Sequence, residues 1–461
     1  MDPQGNVIAL TVHFCFENGP CPDYLGGFLL NCRNEITRDK FNLVGREMQD
    51  GGGLATAPDA THFLMWGTGI CFYGQPLDRE GLPMGAKRLL YPDPCIVPAP
   101  PDFDGYGLVP DSNGSYVAAW LVRETPGRIL QVLRVRKYDN LGNWLGREFL
   151  LYAEDAPEAI LSRLAFSLSA MRSSENGDIL FMTVHGNGNG GPGPILHSNL
   201  VVWRLNSELK RVAEPVIATT EHWMDSGSPG LGVDAQGNFV VSWGFPGAEW
   251  SPGAGPIRQR VLAQRFSRAG ERVGPEILVS GEPVSQFVEF DSSQVLMRAD
   301  GGFLVLWGWK RRGVIMAQRF TAAGERIGRR FQVNVSGRPP LIGAGGVTGD
   351  RKDLWAVEYL IGSDPNFLGP HTVATRIFNF TAPDFTRGDA NNNDAIDLSD
   401  AIAILDYLFQ AGAAPPVWQA ADVNDDETVN VSDPVYLLSH LFLGGAPPPH
   451  PYPIPGFDPT G

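Results

Sequence analysis

One local pattern recurs from Asp2 to Tyr359 and restricts the fold more than any other feature of the chain. The segment Asp234-Ala-Gln-Gly-Asn-Phe-Val-Val-Ser-Trp243 is echoed by Arg298-Ala-Asp-Gly-Gly-Phe-Leu-Val-Leu-Trp307 and by Asp111-Ser-Asn-Gly-Ser-Tyr-Val-Ala-Ala-Trp120. Each copy opens with turn-forming residues and continues into a β-branched or aromatic run, the signature of a hairpin turn feeding a strand. Weaker copies end at Trp66, Val184 and Tyr359, and another runs from Asp2 to Val12, making seven at intervals of about 52 to 64 residues. A period of this size points to a repeat architecture.

A second alternating strand follows each copy. Arg260-Val-Leu-Ala-Gln-Arg-Phe266 leads into the turn Ser267-Arg-Ala-Gly-Glu-Arg-Val-Gly, and Val314-Ile-Met-Ala-Gln-Arg-Phe320 leads into Thr321-Ala-Ala-Gly-Glu-Arg-Ile-Gly. With a short strand before each Gly turn and a closing strand such as Phe331-Gln-Val-Asn-Val335, each unit holds about four strands. Alternation at period two places Phe, Val and Trp on one face and Gln, Arg and Ser on the other. The expected fold is therefore mainly β: a β-propeller of about seven four-stranded blades over residues 1–383. A β-sandwich array is the alternative, but no linkers separate the units. The unit resembles a repeat common in bacterial secreted proteins, D-x-x-G-N-F-V-V-x-W followed by A-Q-R-F-x-x-x-G, most closely over residues 225–337. The first unit begins at its second strand and the last lacks its closing strand. Either the termini complete one another, or a missing N-terminal piece carried a strand and a signal peptide.

Composition fits this reading, with 55 Gly and 38 Pro favouring turns over helices. The net charge of −15 is unevenly spread: from Asp384 onward there are 12 acidic residues against Arg387 alone. That balance argues against nucleic acid or an anionic membrane as partner. No apolar run is long enough to span a bilayer, and no signal peptide is visible. All five cysteines (Cys15, Cys21, Cys32, Cys71 and Cys95) lie in the first fifth. They lack zinc-site spacing and read as structural, with disulfides expected on export and Cys15–Cys21 one candidate pair.

The acidic tail carries the chemistry. Asp389, Asn391, Asn393, Asp397 and Asp400 occupy positions 1, 3, 5, 9 and 12 of one loop; Asp422, Asn424, Asp426, Asn430 and Asp433 occupy the same positions of a second. Position 7, Ala395 or Thr428, offers a backbone carbonyl. A 12-residue loop with this rhythm of hard oxygens suits Ca2+, so two ions are expected. Ile396 and Val429 at position 8 are placed to pair as a small β-bridge. Each loop runs into a helix, and the apolar positions match in register: Ile402 with Val435, Leu405 with Leu438, Leu408 with Leu441, Phe409 with Phe442. These stripes are expected to pack against each other. No helix enters either loop, unlike a full EF-hand.

This pattern, with Phe385 and Arg387-Gly-Asp at its start, resembles the type I dockerin family over residues 385–445. The resemblance implies a small all-α module (residues 384–446, with a proline-rich tail at 447–461) whose folding requires calcium. It also implies docking onto a cohesin on a scaffold or cell surface, often in polysaccharide-degrading systems. Two positions depart from the family. Position 6, normally Gly, is Asp394 or Glu427. The partner-facing pair at positions 10 and 11 is Leu398-Ser399 and Val431-Ser432 rather than two small hydroxyls.

Other signals are weaker. His185-Gly-Asn-Gly-Asn-Gly-Gly reads as a blade loop rather than a nucleotide site. The Glu221-His222-Trp223-Met224-Asp225 cluster could line a propeller mouth. Trp66, Trp120, Trp243 and Trp307 read as core residues before carbohydrate platforms. No catalytic constellation stands out. Three functions fit the chain: an exported or cell-surface binding protein displayed through the calcium module, with a carbohydrate among the ligands considered; a glycoside hydrolase-like enzyme component; and a structural surface protein.

Overall fold

The computed structural model describes residues 7–13, 24–30, 36–44, 52–67, 71–91, 106–125, 128–152, 155, 157, 166–186, 198–219, 229–245, 260–280, 290–309, 314–334, 340–341, 347–349, 354–362, 371–379, 385–453 and 455. The hairpin chemistry of the repeats sets its sheets. In the turn 234–238, the Asp234 N–H donates to the Asn238 carbonyl at 2.9 Å, and Gly237 closes the turn at φ +89°. Asp234 Oδ1 accepts the N–H groups of Gln236 and Asn238 at 2.9 and 2.8 Å, so the aspartate templates the turn.

Seven antiparallel sheets result among the described residues. The first has three strands, Val7–His13, Tyr24–Leu30 and Ile36–Val44. Five four-stranded meanders follow. They comprise Gly52–Thr56, His62–Gly67, Phe72–Leu77 and Arg88–Tyr91; Tyr106–Pro110, Tyr116–Thr125, Arg128–Tyr138 and Trp144–Tyr152; and Phe166–Ser173, Ile179–Gly186, Ser198–Leu205 and Val216–Ile217. The fifth sheet holds Gly230–Val233, Phe239–Phe245, Arg260–Phe266 and Arg272–Ser280. The sixth holds Phe290–Met297, Phe303–Trp309, Val314–Phe320 and Arg326–Gln332. In the seventh, Pro340–Leu341 and Val347–Gly349 share one edge of Leu354–Gly362, and His371–Asn379 pairs with its other edge.

From the second sheet to the seventh, consecutive sheets pack face to face around five shared apolar clusters. Val240, Val261, Val295, Phe303 and Trp307, for example, fill the space between the fifth and sixth sheets. The first strands of successive sheets also lie against one another. Their glycines permit this, since a Cβ on Gly230 would sit 2.9 Å from the Gln294 Cα. Sheets stacked in sequence, first strand innermost, form a β-propeller arrangement.

Stacking on both sides changes one expectation. The alternation placed Gln and Arg on the face opposite Phe, Val and Trp, yet Gln75, Gln264, Gln318 and Arg319 are buried as well. A sheet between two neighbours has no solvent face, so its polar side chains must find partners inside. Gln264 Nε2 donates to the carbonyls of Arg265 and Gly274 at 2.9 and 3.2 Å, and Gln318 makes the equivalent pair with Arg319 and Ile327. Each glutamine thereby ties its strand to the start of the next one. Trp66, Trp120, Trp243 and Trp307 are all buried, in keeping with their reading as core residues.

Candidate metal centre

Both acidic loops fold on the same template. Asp389 Oδ1 and Oδ2 accept the N–H groups of Asn393 and Asp394 at 2.9 and 3.1 Å. Asp422 does the same with Asp426 and Glu427 at 3.1 and 2.9 Å. At position 12, Asp400 accepts from the N–H groups of Asn391 and Asp397 at 3.1 and 2.9 Å. Asp433 accepts from Val423 at 2.7 Å, Asn424 at 3.3 Å and Asn430 at 2.8 Å. The first and last carboxylates of each loop thus curl the backbone between them. Asn393 and Asp426 at position 5 cap the N–H of Ala395 and Thr428 at 2.9 and 3.0 Å. Asp397 and Asn430 at position 9 cap Ser399 and Ser432 at 2.7 and 2.8 Å.

The backbone bends as position 6 demands. Asp394 and Glu427 sit at φ +76° and +67°, left-handed conformations where Gly would carry no penalty. Position 4 is left-handed too, with Asn392 at +57° and Asp425 at +62°. Sequence reasoning missed this second bend, although Asn and Asp are the residues that tolerate it best.

The loops start helices α1 (Leu398–Phe409) and α3 (Ser432–Leu443), with a single turn, α2 (Trp418–Ala421), between them. Asp397 caps α1 in a capping box with Asp400. Both helices end alike: the Gly412 N–H bonds the Asp406 carbonyl at 2.9 Å, and the Gly445 N–H bonds the Ser439 carbonyl at 3.0 Å.

The expected stripes are corrected by half. Ala401, Ile404 and Leu437 fill the helix–helix core with Ala390, Ala421, Val423 and Val429; Ile396, Leu408, Leu438 and Leu441 pack on it. Ile402, Phe409, Val435 and Phe442 face solvent instead. Helical position, not size, sorts them, since Ile404 is buried while Ile402 is exposed. Leu398 and Val431 join this exposed set, so two matched apolar ridges lie on the surface. Ile396 and Val429 belong to one apolar core, and no bridge joins them among the described residues. Ser399 and Ser432, expected at the partner face, accept the side-chain amides of Asn391 and Asn424 at 2.8 and 2.9 Å.

Burial pushes the carboxyls of Asp389, Asp400 and Asp433 above their ordinary value, whereas the Ser399 hydrogen bonds lower that of exposed Asp397. Among the described residues no three Asp, Glu, His or Cys side chains gather into a metal-holding group by themselves. Half of each donor set consists of Asn side chains and backbone carbonyls, hard oxygens that suit Ca2+. The second loop has an acceptor to spare: Asn424 Oδ1 is buried without a hydrogen bond among the described residues, its amide donating to Asp426 and Ser432 at 2.9 Å each.

Arg387, the lone cation of the tail and part of the motif that opens the module, is completely buried. Its Nη1 donates to the carbonyls of Asp422 and Gln419 at 2.6 and 3.2 Å, and its Nη2 pairs with Asp425 Oδ1 at 2.7 Å. The following proline-rich segment lies against the module. Pro451 accepts the Arg387 N–H at 2.7 Å, and Tyr452 bonds His440 Nε2 at 2.8 Å.

Glu221, His222, Trp223, Met224 and Asp225 lie outside the described residues, as do the glycines after Gly186 and Cys15, Cys21, Cys32 and Cys95. Cys71 is buried and disulfide-bonded. No helix among the described residues is long and apolar enough to cross a membrane.

No known family and no curated protein matches the chain. Solved structures with similar folds include a protein of unknown function from Dyadobacter fermentans, 13% identical, covering 71% of this chain and 93% of its own, with TM-score 0.43. An α-L-arabinofuranosidase of Fusarium graminearum is 12% identical over 72% of this chain and 92% of its own, with TM-score 0.43. The Dos1 propeller is 11% identical over 81% and 78%, with TM-score 0.41. Scores at this level leave the sheet-on-sheet packing described above as the ground for the propeller arrangement.

Proposed function

We propose that the chain is an exported calcium-binding protein, in which a seven-bladed propeller serves as a non-catalytic binding domain displayed through a dockerin-like module. The observation that carries the reading is the identical polar template of the loops that open at Asp389 and Asp422, each closed by buried carboxylates at both ends. Asp389, Asn391, Asn393, Ala395, Asp397 and Asp400 would hold one ion; Asp422, Asn424, Asp426, Thr428, Asn430 and Asp433 would hold the other. Calcium would supply the positive charge that these desolvated carboxylates lack. The unpartnered Asn424 Oδ1 supports the fit.

The exposed ridges Leu398–Ile402–Phe409 and Val431–Val435–Phe442 support docking onto a cohesin-like or other cell-surface protein, because apolar residues left outside a small module mark an interaction face. The disulfide at Cys71 supports an oxidising, extracellular setting. Limited proteolysis of the intact chain tests the reading. Chelator should open residues 389–400 to cleavage and calcium chloride should protect them, while the propeller resists in both. Equal cleavage of the module with and without calcium would overturn it.

A further inference from the structure

Arg387 stands just ahead of the first loop yet serves the second, and nothing equivalent serves the first. The matching place just ahead of the second loop is taken by Ala420, and the first loop carries neutral Asn392 where the second carries Asp425. The guanidinium is completely buried, lies 5.5 Å from the Phe385 ring, and reaches three parts of the module at once. It holds the carbonyl of Asp422, the first residue of the second loop, and pairs with the carboxylate of Asp425 at that loop's left-handed position 4. Its Nε donates to the His450 carbonyl at 3.3 Å, and its own N–H to Pro451 at 2.7 Å. Among the described residues the first loop meets a cation at its rim, where Arg329 of the sixth sheet contacts Asp394; those side chains are 42% and 61% exposed. An exposed pair of that kind contributes little, whereas a buried, multiply bonded charge fixes whatever it touches.

We propose that Arg387 is a built-in cation that holds the second loop and the proline-rich segment in place before any metal binds. The two loops of the module therefore differ in kind. The second is clamped by a buried cation, and the first has no such clamp among the described residues. This assignment rests on reading 389–400 and 422–433 as calcium loops only for what happens when the metal is added; the asymmetry itself is a property of the metal-free chain.

Hydrogen–deuterium exchange of the intact protein in EGTA tests it. The bonded amides of Val423, Asp426, Glu427 and Asn430 should exchange more slowly than those of Asn391, Asn393, Asp394 and Asp397. Arg387→Met should speed exchange in the second loop by about 100-fold, the scale of a buried charge left without its partner, and leave the first loop unchanged. Arg387→Lys, which keeps the charge but not the fork of donors, should restore part of the protection. Should Arg387→Met fail to fold, Asp425→Asn keeps the guanidinium and its carbonyl bonds, and should speed the second loop to a smaller extent. Equal exchange in both loops in EGTA, or second-loop protection untouched by these substitutions, would overturn the proposal. If calcium chloride then slows neither loop while the asymmetry persists, the metal reading fails and the role of Arg387 stands.

Discussion

The propeller and the C-terminal module are both built by repetition, yet the repeats cooperate in opposite ways. The third to sixth sheets bury apolar side chains on both faces, and even the glutamines of the fifth and sixth turn inward to the backbone. The two halves of the module share a small core and leave Ile402, Phe409, Val435 and Phe442 outside; their loops are shaped by carboxylates bonded to backbone N–H groups. The contrast teaches that one region draws its stability from area removed from water. The other depends on polar geometry, and so should respond to changes of charge.

Substitutions can break that comparison, the largest effect coming from the propeller. Trp243→Ala removes a buried side chain shared by the fourth and fifth sheets. It should lower stability by about 3–5 kcal/mol, and calcium should not restore the loss in a melting experiment. Acid should act on the same region. Burial holds His185 at about 4, below its ordinary 6.5, beside Thr183 Oγ1 at 2.8 Å. The unfolded chain therefore takes up a proton between those values that the fold refuses, and stability falls as pH drops from 6.5 toward 4. Denaturant titrations across that window should show a loss approaching about 3 kcal/mol, and His185→Gln should flatten it.

In the module, Glu427→Gly relieves a side chain held at φ +67°. It should raise the module's stability by about 1 kcal/mol, measurable as a higher denaturation midpoint for residues 385–453. The smallest effect sharpens the comparison most. Phe409→Ser with Phe442→Ser, at 69% and 64% exposure, should change stability by less than about 0.5 kcal/mol. Capture by a docking partner should be lost. A large destabilisation would mean that these rings belong to the fold and not to an interface.

Much of this was legible in the sequence because local chemistry dictates it. Asp234 and Gly237 announce their turn, and the regular spacing of Trp243 and Trp307 announces the sheets. The loop positions of Asp389 and Asp422 were readable for the same reason, since ligand rhythm is a property of consecutive residues. What escaped is set by distant contact. Alternation in Arg260–Phe266 assumes one buried face, so the inward Gln264 could not be foreseen without knowing that sheets stack on both sides. Helix α1 offers two apolar stripes, and the choice of Ala401 and Ile404 over Ile402 and Phe409 depends on where α3 packs. Arg387 looked like a lone charge because its acceptors on Asp422, Asp425 and His450 lie far along the chain from it.

The central claim is that two loops of one design bind two calcium ions. Calorimetric titration of the intact, chelator-stripped chain with calcium chloride measures it most directly. Two ions per chain should bind, one should remain in Asp422→Ala, and none in Asp389→Ala with Asp422→Ala. An absence of binding heat up to millimolar calcium, or an unchanged stoichiometry in the double variant, would contradict it.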